Sequence, residues 1–360
     1  MSSRSPLQFC ISVPIGAYHP FLPACLESLA QQEGPVAVAL LDASGDDRVR
    51  ALADRYDHIL AYRRHGPDKG QSDAIAEGWR HTQGDILGWL NADDILFPGA
   101  IKKARAALAA DQSLDAVYGH STILDEHART VGYHWAVEKP GQRILEAGII
   151  SQPSCFFKRS AYDAIGGLDL DLHYTMDWDL WIRLYESGAR FGFIDEVLSL
   201  VLWGDETKTS SFNAQRRAEL KQLISAHAPP EKAKKIFRSF AIHNFLDRTP
   251  SERLKKFITR KLVRGRAQIF GMGGDGQLFD GARLFLTHYE PEAKSGLEIN
   301  LENPDRVSAI KSAAGDPLPV TRSDGTLTLE LETPVHSGEP LEIFFTLKEP
   351  GAYFHHAAWC

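Results

Sequence analysis

Two adjacent carboxylates, Asp93 and Asp94, follow the apolar run 86–90 after Asn91 and Ala92. Divalent cations such as Mg²⁺ and Mn²⁺ prefer oxygen ligands, and a site built on one or two carboxylates leaves the rest of the shell to phosphate oxygens and water. A cation held there would neutralise the charge of a departing diphosphate. Acidic pairs after a strand are also common in solvated turns and as helix N-caps, so the pair alone leaves both interpretations open.

Another carboxylate, Asp177, precedes a helical pattern at 178–187. An aspartate fixed at a helix N-terminus can take the proton from a hydroxyl within hydrogen-bond reach, and partial removal from water raises its pKa usefully. Asp177 and Asp179 also suit the first turn of a helix for a structural reason, because negative charge is stabilised there. Arg183 follows Asp179 by one helical turn, which predicts a structural ion pair between them.

Short apolar runs alternate with helical patterns through the first two-thirds of the chain, which predicts an α/β fold with a mixed sheet flanked by helices. The predicted strands are 9–13, 36–41, 59–63, 86–90, 116–118, 154–158 and 191–194. The predicted helices are 23–32, 48–56, 73–82, 98–110 and 178–187. Ligands bind at the carboxyl ends of the strands in such sheets. Asp42, after the second strand, and Asp93 and Asp94, after the fourth, are therefore expected where a cleft should lie.

Five stretches taken together are more specific than any single motif. They are 67–78, 84–94, the pair 152–159 and 166–169, and 176–184. In content and order they resemble the family-2 glycosyltransferases of the GT-A fold, over about residues 8–210. The resemblance implies a GT-A-like fold and an inverting enzyme that takes a sugar from a nucleoside-diphosphate sugar with the help of Mg²⁺ or Mn²⁺.

The resemblance also implies roles for single residues. Asp94 would be the metal ligand, Asp93 a contact to the ribose or a secondary contact to the metal, and Asp42 a contact to the nucleotide base. The family's general base lies in a Glu-Asp motif at the start of a helix, which reads Met176-Asp177 here. Asp177 is therefore the candidate base.

Five further residues are candidates for substrate contacts. They are Pro14 and Lys69 on the donor side, and Gln152, His173 and Trp178 on the acceptor side. A lysine in a turn near the donor can approach the diphosphate, although a solvated position is the alternative for Lys69, as it is for His173. Trp178 would stack on a sugar or, alternatively, belong to the core.

Two places depart from the family pattern. Members commonly carry a Tyr-Arg-x-His element whose histidine can complete the metal site, whereas this chain has Leu202 at the arginine position and Gly204 at the histidine position. We expect Asp205 or water to substitute, or the metal to be held more weakly. The turn after the first strand, usually Pro-Thr-Tyr-Asn, begins Pro14-Ile15-Gly16-Ala17 here.

The composition limits the other classes of function. The 360 residues carry 40 basic and 47 acidic side chains, and the net charge of -7 provides no overall basic field for nucleic acid. The N-terminus lacks a signal-peptide pattern and no apolar run reaches the ~18 residues of a membrane span, which predicts a cytoplasmic protein that meets a membrane only from its inner face. The four cysteines lack a zinc-type spacing and are interpreted as buried or incidental thiols.

Two changes in character divide the chain. We expect a GT-A-like domain over 1–212, a basic helical region over 213–268 and a small β-rich domain over 269–360. The segment 251–266 carries seven basic side chains and one acidic one, with apolar residues at helical spacing. It suits an amphipathic helix on an anionic membrane surface, or a surface helix whose apolar stripe packs on the catalytic domain. For the β-rich domain, glycan binding and scaffolding or oligomerisation both stay open.

The sequence therefore predicts a metal-dependent glycosyltransferase of the hexosyltransferase type, with a UDP-sugar as the favoured donor and a glycan or lipid-linked acceptor, in surface polysaccharide biosynthesis. The main alternative is a non-catalytic protein that binds a nucleotide sugar or a glycan on the same fold, suggested by the change at Gly204. A nucleotidyltransferase also places paired carboxylates after a strand, but residues 14–20 lack a glycine-rich, basic loop for a triphosphate.

Overall fold

A computed structural model of the protein describes residues 6–204, 213–247, 258 and 268–360. The described chain divides into two compact units. Unit 1 consists of residues 6–121, 136–201 and 213–236, and unit 2 consists of residues 122–135, 202–204, 237–247, 258 and 268–360. The domain boundaries expected at residues 212 and 268 stay a prediction.

Strands and helices alternate up to residue 89, as the sequence predicts, and follow a less regular order from there to residue 202. The strands are β1 (Phe9–Ile15), β2 (Val36–Asp42), β3 (Leu60–His65), β4 (Ile86–Trp89), β5 (Ile95–Leu96), β6 (Ala116–Leu124), β7 (Thr130–Tyr133), β8 (Cys155–Lys158) and β9 (Phe191–Leu202). The helices are α1 (Leu22–Ala30), α2 (Asp47–Arg55), α3 (Gln71–His81), α4 (Ala100–Ala110), α5 (Arg159–Ala164) and α6 (Met176–Glu186), followed by α7 (Ala214–His227) and α8 (Pro230–Asp247). Both β6 and β9 are longer than predicted. The end of β6 was not predicted because buried polar residues such as His120 and Ser121 interrupt its apolar pattern.

Unit 1 is built on a mixed sheet. Its strands lie in the order β6-β8-β4-β1-β2-β3. Strand β1 pairs in parallel with β2 and β4, and β2 pairs in parallel with β3. Strand β8 runs antiparallel to both β4 and β6, and β5 runs antiparallel to β9. The predicted α/β order with a mixed sheet is therefore confirmed.

Helices cover both faces of this sheet, which explains why every residue of β1 is buried. Phe9, Ile11 and Val13 point to one face, where they share a core with apolar residues of α1, α2 and α4. Cys10, one position out of phase, belongs to a core on the other face with residues of α3 and α6, including Trp181. Helices α3 and α6 therefore lie in one layer, on the same face of the sheet.

Helix α3 lies close to the sheet and is held at its C-terminal end. A Cβ at Gly78 would lie 2.3 Å from Oγ of Ser12, so only glycine allows this approach. The guanidinium of Arg159 donates to the carbonyl oxygens of Trp79 at 2.8 Å and Thr82 at 3.0 Å, which satisfies groups that a helix end leaves without partners. The position of α3 matters because its first turn reaches the candidate site.

Replacing Gly78 by alanine is expected to destabilise the protein by about 1–3 kcal/mol, the usual cost of overpacking a core. The added Cβ would also lie 2.9 Å from Cβ of Ala39, which cannot move without shifting β2. Urea unfolding followed by circular dichroism measures the change. The matched control is Gly148→Ala, because the added Cβ has no neighbouring heavy atom within 4 Å. Equal stability of the two variants would contradict the close packing of α3.

Unit 2 is rich in β-strands. Besides β7 it contains β10 (Ala282–Leu286), β11 (Lys294–Glu302), β12 (Val307–Ser312), β13 (Val320–Ser323), β14 (Thr326–Val335), β15 (Leu341–Leu347) and β16 (Tyr353–Trp359). The strands pair in the orders β13-β14-β11-β16-β7 and β10-β15-β12. Leu327 and Leu329 are fully buried and alternate with partly exposed threonines, as expected for a strand with one face on the core. The predicted β-rich C-terminal region is confirmed.

Three remaining expectations concern thiols, membranes and the basic segment. Cys10, Cys25 and Cys155 are buried free thiols, as predicted, and Cys360 is exposed. Across the described ranges, no helix combines the length and the apolar character needed to cross a membrane. The segment 251–266 lies outside the described residues, except for Ile258.

Candidate active site

The carboxyl ends of β1, β2 and β3 lie level with one another. In the parallel register, Ile15 pairs with Asp42, and Asp42 pairs with His65. Pro14 is buried within β1, where it pairs with Leu41. Asp42 and Pro14 therefore lie at the edge of the sheet where open α/β folds bind ligands, and their contacts with a donor stay a prediction.

The carboxylate of Asp42 is held by hydrogen bonds, and Asp42 is only 1% exposed. Its Oδ1 accepts from the backbone N–H of Ser44 at 2.8 Å and from the hydroxyl of Ser44 at 2.5 Å, and its Oδ2 lies 2.7 Å from Nδ1 of His65. Burial by itself would raise the pKa of Asp42, but the hydrogen bonds with Ser44 and His65 outweigh it and the pKa lies below its ordinary value. Asp42 is therefore ionised at neutral pH and fixed in orientation.

Sequence reasoning singled out neither Ser44 nor His65. The signal for His65 was its place at the end of the third strand, level with Asp42. A side chain at that position can reach across to the neighbouring strand end, because adjacent strands are about 4.8 Å apart. Ser44 follows Asp42 by two residues, which is the spacing of a local turn closed by an aspartate side chain.

The side chain of Asn91 joins the acidic motif to α3. Gln71, the first residue of α3, donates from Nε2 to Oδ1 of Asn91 at 2.7 Å. Asn91 in turn donates from Nδ2 to Oδ2 of Asp94 at 3.0 Å, and its carbonyl oxygen accepts from the backbone N–H of Asp94 at 3.1 Å. Because Asp94 is only 6% exposed, these bonds set the direction of its carboxylate.

Gln152 supports the same motif from inside the fold. Its Nε2 donates to the carbonyl oxygen of Trp89, the last residue of β4, at 2.7 Å. Its Oε1 accepts from Nδ2 of Asn91 at 3.3 Å. Gln152 is 9% exposed, and both the oxygen and the nitrogen of its side-chain amide form hydrogen bonds with the donor-side segment. The contact with an acceptor that the sequence predicts for Gln152 stays a prediction.

The negative charges of Asp93 and Asp94 both act on the nearby thiol of Cys25. Burial raises the pKa of the Cys25 thiol well above its ordinary value, and the charges of Asp94 and Asp93 raise it further. Cys25 lies beneath the motif, with its Sγ 3.5 Å from the carbonyl oxygen of Asn91. Asp93 is partly exposed. Two adjacent carboxylates, one of them open to solvent, provide the oxygen donors that fit a hard divalent cation.

A cation at this place would be held through the carboxylates of Asp93 and Asp94. Among the residues that the structure describes, no three or more His, Cys, Asp or Glu side chains are grouped so that they could hold an ion. Gly204 offers no side chain where the family commonly has a histidine, and a Cβ there would lie 3.4 Å from Oε2 of Glu126. Asp205, named above as a substitute, lies outside the described residues. A weaker hold on the metal stays a prediction.

Helix α3 also contacts the loop that leads into α6. The hydroxyl of Ser72 donates to the carbonyl oxygen of Leu172 at 2.8 Å. Gly70 has a φ of 124°, a conformation that favours glycine, and a Cβ there would lie 3.6 Å from the ring of His173. Lys69, the residue before it, is exposed. The structure therefore brings the loop of Lys69 beside the loop of His173, while their contacts with substrates stay predictions.

Asp177 is the second residue of α6 and is partly exposed. The backbone N–H of Trp178 donates to its Oδ1 at 2.8 Å. Burial raises the pKa of Asp177, and the N–H of Trp178 and the positive charge of Arg216 on α7 offset only part of the rise. The carboxyl group is thus largely surrounded by protein, while part of the residue stays exposed to solvent. A carboxylate in this setting is a stronger base than an ordinary aspartate.

Two neighbours of Asp177 on α6 have structural partners. Nε of Arg183 donates to Oδ2 of Asp179 at 2.7 Å, which confirms the predicted ion pair. Trp178 is 6% exposed, and its indole N–H donates to the carbonyl oxygen of Ile144 at 2.6 Å. This burial agrees with the alternative that Trp178 belongs to the core, and its stacking on a sugar stays a prediction.

Comparison with known proteins adds to this geometry. Residues 10–178 match the sequence model of the family described as Glycosyl transferase family 2. A PGL/p-HBAD biosynthesis glycosyltransferase of Mycobacterium tuberculosis is 28% identical over 186 residues, which cover 50% of this chain and 71% of that protein. The chondroitin synthase of Escherichia coli is 26% identical over 226 residues, which cover 61% of this chain and 32% of that protein.

Among solved structures, the chain is similar to S. aureus TarS 1–349 in complex with UDP. The TM-score is 0.50 at 16% sequence identity, and the match covers 70% of this chain and 78% of that chain. This likeness concerns the fold, and it confirms the predicted GT-A-like α/β architecture. The family match includes all four aspartates, Asp42, Asp93, Asp94 and Asp177, and it confirms the resemblance found in the sequence. The similarity to Glycosyl transferase family 2 therefore extends over residues 10–178, a little under half of the chain.

Proposed function

We propose that this chain is an inverting glycosyltransferase that moves a sugar from a nucleoside-diphosphate sugar, with a UDP-sugar favoured, to a glycan or lipid-linked acceptor. The observation that carries the proposal is the setting of Asp177. Burial raises the pKa of this carboxyl group at the start of α6, while part of the residue still meets solvent. The loop before α6 contacts α3, and α3 also bonds the acidic motif through Gln71 and Asn91. The proposed base and the proposed donor site thus share one supporting helix.

The nucleoside is expected to bind beside Asp42. A carboxylate has about four sites for hydrogen-bond donors, and Asp42 uses three of them for Ser44 and His65. One site is left for a nucleoside N–H, and the His65 side chain, which is 25% exposed, is the adjoining group at the surface. Pro14 lies one strand away from Asp42, and the exposed ammonium of Lys69 is free to approach the diphosphate from its loop.

The metal is expected at Asp94, with Asp93 as a ribose contact or secondary ligand. When bound, Mg²⁺ or Mn²⁺ would offset the negative charge on the leaving diphosphate. Asn91 keeps Oδ2 of Asp94 in a fixed direction through a bond of 3.0 Å. Loss of a side chain that contacts the metal ligand and not the metal itself typically lowers metal affinity by about 10- to 100-fold.

Asp177 is expected to accept the proton of the acceptor hydroxyl. As the hydroxyl oxygen forms its bond to the anomeric carbon, the bond from that carbon to the diphosphate oxygen breaks, and the diphosphate leaves with the electron pair. The attack comes from the face opposite the leaving group, so the anomeric centre is inverted. The raised pKa of Asp177 strengthens it as a base for this step. His173, Gln152 and Trp178 remain the proposed residues on the acceptor side.

The acceptor is proposed to belong to surface polysaccharide biosynthesis at the cytoplasmic side of a membrane. The names of two relatives support a glycan product of this kind, since one is a PGL/p-HBAD biosynthesis glycosyltransferase and the other a chondroitin synthase. Peripheral membrane contact through 251–266 belongs to the same proposal. The proposal also includes the division of the chain into a GT-A-like domain over 1–212, a basic helical region over 213–268 and a β-rich domain over 269–360.

A panel of nucleotide sugars tests the proposal. The full chain is incubated with each UDP-, GDP- and dTDP-sugar in Mn²⁺ or in EDTA, and release of the nucleotide is measured with and without oligosaccharide acceptors. We expect release from a UDP-sugar that falls to background in EDTA. Tight binding of a nucleotide sugar or a glycan without turnover under any condition would instead favour the non-catalytic alternative.

A further inference from the structure

A buried carboxylate on α7, that of Glu219, holds the loop before α6. It accepts hydrogen bonds from three consecutive backbone N–H groups, those of His173 at 3.2 Å, Tyr174 at 2.8 Å and Thr175 at 3.2 Å. Glu219 is only 7% exposed. A charge buried to this degree is costly unless it is hydrogen-bonded, and the three amide donors meet that requirement.

These amides lie at the N-terminus of α6. Thr175 is the N-cap residue of the helix, and its own side chain makes no capping hydrogen bond. The first N–H groups of a helix lack partners within the helix, and the helix dipole favours a negative charge beside them. Glu219 supplies that charge from another helix, through the amides of the three residues that precede the first turn of α6.

The position of Glu219 bears directly on Asp177. Asp177 lies two residues after Thr175, so the loop that Glu219 holds fixes where α6 begins and how Asp177 is presented. On the other side, Ser72 of α3 bonds the carbonyl oxygen of Leu172 in the same loop at 2.8 Å. The start of α6 is therefore clamped between α3, which carries the donor-side contacts, and α7.

We propose that Glu219 is a positioning residue for the acceptor step, which sets the orientation of Asp177 without touching either substrate. The inference rests on the proposed function, in which Asp177 takes the proton. It goes beyond the family match, because Glu219 lies outside residues 10–178. Misplacement of a reacting group by about 1 Å costs on the order of 100-fold in rate, so a loosened loop affects turnover strongly.

The test replaces Glu219 by glutamine in the full chain. Glutamine keeps the size but puts an NH₂ group against backbone N–H donors, so the loop loses part of its hold. We expect kcat for transfer to fall on the order of 10- to 100-fold, because Asp177 is misplaced. The dissociation constant for the nucleotide is expected to stay unchanged, because Asp94 is held separately through Asn91. Faster amide hydrogen exchange at residues 173–175 is expected as well.

The matched control is Glu186→Gln at the other end of α6. Glu186 also joins α6 to α7, through a contact of 2.9 Å between its Oε1 and Nδ1 of His227. If Glu219 acted only by holding the two helices together, both variants would lower kcat to a similar degree. The proposal predicts that Glu186→Gln leaves kcat unchanged.

A double-mutant cycle separates positioning from general damage. In an Asp177→Asn background, Glu219→Gln is expected to cause no further loss of the residual turnover, because the group it positions is gone. Equal loss in both backgrounds, or an unchanged kcat in the single variant, would overturn the proposal. Should the glutamine variant fail to fold, Glu219→Asp decides instead, since it keeps the charge and is expected to retain donor affinity with a partly reduced kcat. Full activity of Asp177→Asn itself would remove the proposed function, and the amide exchange at 173–175 would still report on Glu219.

Discussion

Replacing Asp177 by asparagine is expected to lower kcat for sugar transfer by on the order of 10²- to 10⁴-fold, the range that general-base catalysis contributes. Asparagine keeps the shape of the side chain and can still accept the N–H of Trp178, but it cannot take a proton at neutral pH. Affinity for the nucleotide sugar is expected to remain, because the donor contacts lie on other elements. Steady-state kinetics and calorimetric titration of the nucleotide measure the two effects separately. Loss of donor affinity with an unchanged kcat would contradict the role as base.

The same substitution is expected to stabilise the folded protein at neutral pH. Burial raises the pKa of Asp177 in the folded state, so the folded protein favours the protonated form and ionisation at neutral pH costs stability. Asparagine removes that cost. The gain is present above the folded pKa and disappears as the pH falls below the unfolded pKa, where the carboxyl group is protonated in both states. Thermal unfolding of both proteins at pH 7 and near pH 3 measures this difference.

Asp179→Asn is the matched control on the same helix, and the opposite effect is expected. Asp179 is 7% exposed and accepts from Nε of Arg183 at 2.7 Å. Hydrogen bonds to charged groups usually contribute about 1.5–3 kcal/mol, and asparagine removes the charge that strengthens this one, so the variant is expected to be less stable at neutral pH. A stability change of the same sign in both variants would contradict the account of Asp177.

Replacing Asp94 by asparagine is expected to abolish the dependence of donor binding on a divalent cation. The lost stabilisation of the leaving diphosphate is several kcal/mol, which lowers kcat/KM by on the order of 100-fold or more. Calorimetric titration with UDP in Mn²⁺ and in EDTA gives the direct measurement. The wild-type protein is expected to bind more tightly in Mn²⁺, and the variant equally weakly in both.

Asp85→Asn controls for the loss of a negative charge on the same strand. Asp85 is exposed and lies just before β4, at the end of the strand opposite to Asp94. Its substitution is expected to leave the metal dependence intact. Asn91→Ala removes the hydrogen bond to Oδ2 of Asp94. This variant is expected to weaken the affinity for the metal by about 10- to 100-fold. Binding that depends on Mn²⁺ as strongly in Asp94→Asn as in the wild type would remove the proposed metal ligand.

The elements around the site could be predicted because local pattern determines them. Strand β1 is buried at every position and apolar at every position except Ser12, as expected for a parallel strand covered on both faces, and the aspartates that end β2 and follow β4 interrupt this pattern. The ion pair between Asp179 and Arg183 follows from helical spacing alone. These features depend on neighbours in the sequence, and sequence reasoning found them.

Contacts between distant segments could not be predicted in this way. Glu219 binds a loop 46 residues earlier at His173, and nothing in the pattern of α7 marks it. Gln152 reaches Asn91 across 61 residues, so a residue that the sequence suggested for the acceptor side supports the donor side. Such contacts depend on tertiary packing, and only the folded chain brings their partners together.

The most direct test of the central claim is the stereochemistry of transfer. The donor sugar and the acceptor found in the panel are incubated with the full chain, and ¹H NMR gives the anomeric configuration of the first product formed. From an α-linked UDP-sugar we predict a β-linked product, and no product above background with Asp177→Asn. An α-linked product, or a β-linked product formed at the wild-type rate by Asp177→Asn, would contradict a single displacement with Asp177 as the base.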